Sequence, residues 1–111
     1  MTVPPNSDQA ILDIRKLEEY CLDPAHPRGR HKALVFRDAL GIGRSDAIWL
    51  RRELLAALTK GGATELSADE YGLSWRLDVT LTRQGERAVI RTVWLVRTDE
   101  NIPRFVTCWV A

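Results

Sequence analysis

The sequence is poor in cysteine. Cys21 and Cys108 are the only two in 111 residues, and they stand near opposite ends of the chain. They form no CxxC pair, and His26 and His31 do not accompany them at zinc-site spacing, so both thiols are expected free and buried. No apolar run approaches the roughly 18 residues that cross a bilayer. Met1–Ser7 also lacks the charged and apolar regions of a signal peptide. A cytoplasmic location with no membrane partner is therefore expected. No glycine-rich loop follows a strand, since Gly41-Ile42-Gly43 only precedes a helix. No His/Asp/Glu set has metal-ligand spacing, and Ser7, Ser45, Ser67 and Ser74 occupy no nucleophile elbow. No metal or cofactor is expected. An excess of one charge is missing too: 16 basic and 15 acidic residues leave a net +1. Bulk charge thus does not mark a nucleic-acid binder, and sequence-specific DNA binding is not expected.

The residues that are present, 45% hydrophobic and 28% charged, suit one globular domain spanning residues 1–111. Residues 1–7 read as a flexible lead. Ser7 is a good N-cap, and Ala10, Ile11, Ile14, Leu17 and Cys21 recur at helical spacing, which predicts a first helix over about Asp8–Cys21. Pro24 stops it. A second helix is expected over Arg30–Leu40, closed by Gly41. A third is capped by Ser45 and ends at Lys60-Gly61-Gly62. The period then changes: Leu73, Trp75, Leu77, Val79 and Leu81 alternate with polar residues as a half-buried strand. Arg87–Arg97 reads as a central strand and Pro103–Ala111 as the last, with Ala63–Ser67 a short edge. The fold class is α+β, with three N-terminal helices (residues 8–60) packed on a three- to four-stranded antiparallel sheet (residues 63–111).

A hairpin at Thr82–Glu86 predicts Thr82 opposite Arg87, Asp78 opposite Arg91, Leu77 opposite Thr92 and Trp75 opposite Trp94. If Thr98 pairs with Pro103, Trp94 meets Thr107 and Thr92 meets Trp109. Two groups carry the chemistry. In the first, His26 lies in a stiff loop between prolines, and Arg28, Arg30, His31 and Lys32 form a basic stretch at the start of a helix. Metal-free RNA cleavage needs a proton acceptor, a proton donor and cations for the phosphorane charge, and these residue types can supply all three. The second group is Arg91, Thr92 and Thr107 on neighbouring strands beside Trp94. Polar residues in a central strand cost stability unless paired, and Arg91 also has Asp78 as a cross-strand partner.

Leu17–Ala33, with its His26-Pro27-x-Gly29-x-x-Lys32-Ala33 spacing, resembles a family of small uncharacterised bacterial domains. So do Phe36, Leu40-Gly41, Arg91-Thr92-Val93-Trp94 and Pro103–Thr107. The resemblance runs from about Leu12 to Val110. That family is similar in layout to the barnase, EndoU, colicin D and RelE type of toxin RNase. The resemblance implies a metal-independent endoribonuclease acting by 2′-hydroxyl attack. Its catalytic set would be His26, Lys32, Arg91, Thr92 and Thr107, with Arg28, His31 and Trp94 binding substrate. RNA and a neutralising antitoxin or immunity protein are the implied partners. The alternative is a non-catalytic protein-binding module: an antitoxin, immunity protein or adaptor.

Overall fold

The computed structural model describes residues 2–111. Four strands run in sequence order as an antiparallel meander: β1 (Thr64–Asp69), β2 (Gly72–Arg83), β3 (Glu86–Arg97) and β4 (Pro103–Val110). The β2–β3 hairpin has the register that its alternation specifies, with Trp75 opposite Trp94, Leu77 opposite Thr92 and Asp78 opposite Arg91. Gln84 and Gly85 join these strands with φ of 51° and 85°. Two successive positive φ values match the twist of a tight hairpin. β1 is fully exposed and carries a register irregularity between Glu65 and Ser67.

The register of β4 differs from the expected one. Phe105, not Thr107, lies opposite Trp94, while Thr107 pairs with Val93 and Cys108 with Thr92. The shift falls between Val93 and Trp94. It leaves Val106 as an extra residue in β4, a bulge that breaks the alternation of faces. Pro103 pairs with Val96 instead of Thr98, so the connection before β4 is also longer than expected.

The expected layer of three helices requires correction. Among the described residues the α-helices are two: α1 (Arg30–Leu40) and α2 (Ala47–Leu58). Residues 8–21 do not form a single helix. A 3-10 turn at Ser7–Gln9 gives way to extended chain, and a π-helical turn follows at Leu17–Cys21. The extended part covers the outer edge of β4. There Ile11 donates to the Pro103 carbonyl at 2.9 Å and accepts from the Phe105 N–H at 2.8 Å. Edge-strand backbone groups need partners, and meeting that need overrides the local helical spacing. α2 is not capped by Ser45 either. One 3-10 turn at Arg44–Asp46 precedes it, and the Asp46 carboxylate accepts the Gly43 N–H at 2.9 Å. Within the lead expected at residues 1–7, Pro4 is buried and the Thr2 carbonyl accepts the Ala63 N–H, while Thr2, Val3, Pro5 and Asn6 are exposed. Met1 lies outside the described residues.

Both α-helices and the π-helical turn pack on one sheet face. Leu17, Leu22, Phe36, Leu50, Leu54 and Leu58 meet Trp75, Leu77, Ile90, Trp94 and Phe105 in a single core. α1 contributes Ala33, Phe36 and Leu40, and Gly41 ends it with a φ of 66° and an N–H bonded to the Arg37 carbonyl. Thr92 is the buried polar side chain in this core. Its hydroxyl donates to the Leu77 carbonyl at 2.7 Å and accepts the Trp94 indole N–H at 2.8 Å. No helix among the described residues is long and apolar enough to cross a membrane.

Replacing Thr92 by Val keeps the volume but strands the indole N–H in the core. The expected loss is about 1–3 kcal/mol, the usual cost of a buried donor without a partner. Thermal unfolding followed by circular dichroism should show a Tm several degrees lower. An unchanged Tm would refute this account of Thr92.

Candidate functional site

The start of α1 is set by the loop before it. The His26 ring accepts two backbone N–H groups at Nδ1, from Arg28 and Gly29, each at 3.0 Å. Nδ1 is therefore an acceptor, and the ring proton resides on Nε2. The His26 ring also stands edge-on to Tyr20, with 4.6 Å between centroids. Gly29 approaches the π-helical turn so closely that a Cβ there would lie 2.2 Å from the Tyr20 carbonyl oxygen. Only glycine fits at that contact. The His-Pro-x-Gly stretch thus clamps the loop onto the π-helical turn and fixes the first turn of α1.

Lys32 projects from that turn to β4. Its ammonium donates to the Thr107 hydroxyl at 3.1 Å and lies 5.1 Å from the Tyr20 ring centroid and 5.3 Å from that of Trp109. No carboxylate pairs with it among the described residues. The half-buried cation is held instead by one hydroxyl and two aromatic rings. It borders two cavities. One, of 640 Å³, is lined by Asp13, Arg15, Lys16, Glu19, Tyr20, Val106 and Thr107 as well as Lys32. The other, of 420 Å³, is bounded by His31, Val35, Trp109 and Val110. Around the first cavity, Arg15 and Asp13 form a 2.7 Å ion pair, and Lys16 donates to the Phe105 carbonyl. The Arg15 hydrogen bonds hold the Asp13 carboxyl down at about 2.

Below Lys32 lies Cys21, whose sulfur is 3.9 Å from the Thr107 hydroxyl. Its thiol is drawn down to about 6, chiefly by a hydrogen bond from Cys108, with help from Thr107 and the Lys32 charge and against the effect of burial. Cys108 is pushed well above the ordinary range by the same contact with Cys21 and by burial. The contact between the two thiols thus pulls them in opposite directions, Cys21 down and Cys108 up.

A model of one protein family matches residues 4–111, nearly the entire chain. The chain belongs to that family, described as a domain of unknown function, DUF6883. No curated protein matches it. Among solved structures, a contact-dependent growth inhibition toxin–immunity protein complex from Klebsiella pneumoniae 342 contains a chain similar to this one, with a TM-score of 0.71. The two are 14% identical, and the match covers 91% of this chain and 99% of that one. Likeness at that identity shows a shared fold.

In this DUF6883 domain the residues singled out from sequence fall into two groups. His26, Arg28, His31, Lys32 and Thr107 gather at the junction of the loop, α1 and β4. Arg28 and His31 are exposed, and His31 borders the smaller cavity. Arg91, Thr92 and Trp94 do not join them. Arg91 forms a two-pronged ion pair with Asp78 at 3.0 and 3.2 Å. The hydrogen bonds of that pair hold Asp78 below the ordinary carboxylate range and raise Arg91. Arg91 and Asp78 each adjoin core-facing residues, Thr92 and Leu77, so by strand alternation they occupy the opposite sheet face. Thr92 and Trp94 are sealed in the core. Sequence reading missed Tyr20 and the Cys21–Cys108 pair, and it set Trp109 beside Trp94 and Thr92 instead of beside Lys32. Tyr20 lies within the quoted motif and was legible there; Trp109 depends on a register that the sequence does not mark. No group of three or more His, Cys, Asp or Glu side chains among the described residues is arranged to hold a metal ion.

Ultraviolet thiolate absorbance should show one of the two cysteines ionising near pH 6 in the folded protein. Lys32→Met should move that titration upward, because loss of a nearby cation disfavours the thiolate. Two thiols titrating together in the ordinary cysteine range would overturn this account of the pair.

Proposed function

We propose that this domain is a metal-independent endoribonuclease of bacterial toxin type. The observation that carries the reading is the Lys32 ammonium, which has no carboxylate partner, is oriented by Thr107 and opens onto two cavities. In the proposed reaction the 2′-hydroxyl oxygen attacks the adjacent phosphorus and gives up its proton. The 5′-oxygen leaves and takes up a proton, giving a 2′,3′-cyclic phosphate and a free 5′-hydroxyl. Lys32 stabilises the charge that grows on the phosphorane oxygens. Thr107 accepts from Lys32 and so orients the ammonium toward the phosphate. The Tyr20 phenol, in the wall of the larger cavity, serves as a proton carrier. His26 sets the loop and offers its Nε2–H as a further donor. Arg91 and Thr92 are left out of this set because each is fully engaged elsewhere. The fold likeness to a chain of a toxin–immunity complex supports a place within such a pair, with a neutralising protein as partner.

A second reading, an immunity-type binding module, is favoured by the net charge of +1 and by the occupied Nδ1 of His26. Incubating total RNA with purified protein in EDTA separates the two. Wild type should cleave, and Lys32→Met should lose about 10²-fold or more, the usual scale for removing one oxyanion-stabilising group. Full activity in a folded Lys32→Met protein would sink the assignment. A folded wild type that cuts nothing and does not arrest its host when expressed would transfer the conclusion to the binding module.

A further inference from the structure

The two cavities that meet at Lys32 differ in character. The larger has charged walls, with Asp13, Arg15, Lys16 and Glu19. The smaller is bounded by Val35, Val110 and the Trp109 ring, with His31 at one side. Val35 in its wall is 45% exposed. Trp109 is set apart from the other tryptophans. Trp75 and Trp94 are core residues. The Trp49 face is taken by the Arg83 guanidinium, 4.5 Å from the ring centroid. Trp109 also has a cation over its ring, the Lys32 ammonium at 5.3 Å from the centroid, but it stays half-exposed and lines an open cavity.

We infer that the Trp109 cavity is a nucleobase subsite, holding the base of an RNA strand whose phosphate rests on Lys32. This rests on the reading of Lys32 as the phosphate-holding group. A cation next to a flat aromatic surface matches the two ends of a nucleotide, an anion and a π-face. Stacking on a side chain accepts any base and adds binding without hydrogen-bond readout. A cavity of 420 Å³ lies within the range of ligand-sized sites. The charged cavity on the other side of Lys32 then receives the next sugar and phosphate.

The test uses the wild-type protein and nuclear magnetic resonance titrations with inorganic phosphate, uridine 3′-monophosphate, adenosine 3′-monophosphate and a short 2′-O-methyl RNA strand, which cannot be cleaved by 2′-attack. Trp109→Phe identifies the Trp109 indole signal. Both nucleotides should shift that signal and bind more tightly than phosphate, by roughly fivefold or more, the scale of one stacked base. The strand should bind more tightly still. Trp109→Leu should erase the margin over phosphate, whereas Lys32→Met should weaken every ligand. Equal binding of nucleotide and phosphate, an unmoved Trp109 signal or a strand weaker than the mononucleotide would overturn the inference. RNA cleavage is scored separately. A protein that cuts RNA without the stacking margin keeps the proposed activity and loses the subsite, and one that shows the margin without cutting does the reverse.

Discussion

The extra residue in β4 governs where the side chains around Lys32 come to lie. A regular strand would send Thr107 and Cys108 to opposite faces of the sheet. With Val106 bulged, both turn toward the helical layer: Cys108 fills the core opposite Thr92, and Thr107 reaches Cys21 and Lys32. Trp109 is placed by the bulge together with the two-residue shift at Pro103, which pairs with Val96. It stands opposite Arg91 instead of Thr92 and borders α1 at the sheet edge. The buried Thr92 hydroxyl is satisfied within its own hairpin, so it makes no demand on β4 and leaves the slip free to occur.

The second constraint is the seam between the π-helical turn and α1. A lysine in the first turn of a helix is an ordinary solvated residue unless its backbone is fixed against something. Here the fixing comes from an imidazole that accepts two amides and a glycine pressed on a carbonyl. These contacts need no catalytic role to account for the His-Pro-x-Gly spacing. Their effect is positional: the ammonium is delivered between two rings and a hydroxyl, where water solvates it only in part.

Legibility followed the strength of local signals. The β2–β3 register was readable because strict alternation on two long strands and a tight turn leave one consistent pairing. The bounds of α1 were readable because Gly41 ends it and Pro27 and Gly29 precede it. Residues 8–21 misled because apolar residues spaced for a helix also suit a chain that is extended along β4 and then coiled for one π-helical turn. Nothing in the sequence marks that Pro103 pairs with Val96 and not Thr98, and the β4 bulge that offsets this shift by one residue carries no glycine or proline, so Thr107 was paired with the wrong neighbour. Arg91 and Thr92 drew attention as polar residues in a central strand, and their partners, Asp78, Leu77 and Trp94, now explain them without a ligand.

The free margin on the β1 side has its own consequence. Its exposed backbone would ordinarily invite another strand, and an open four-stranded meander could grow into a ribbon. The irregularity between Glu65 and Ser67 breaks the flat template such growth requires, and Glu65 and Asp69 would have to be stripped of water beside it. The sheet is thereby self-limiting on that side.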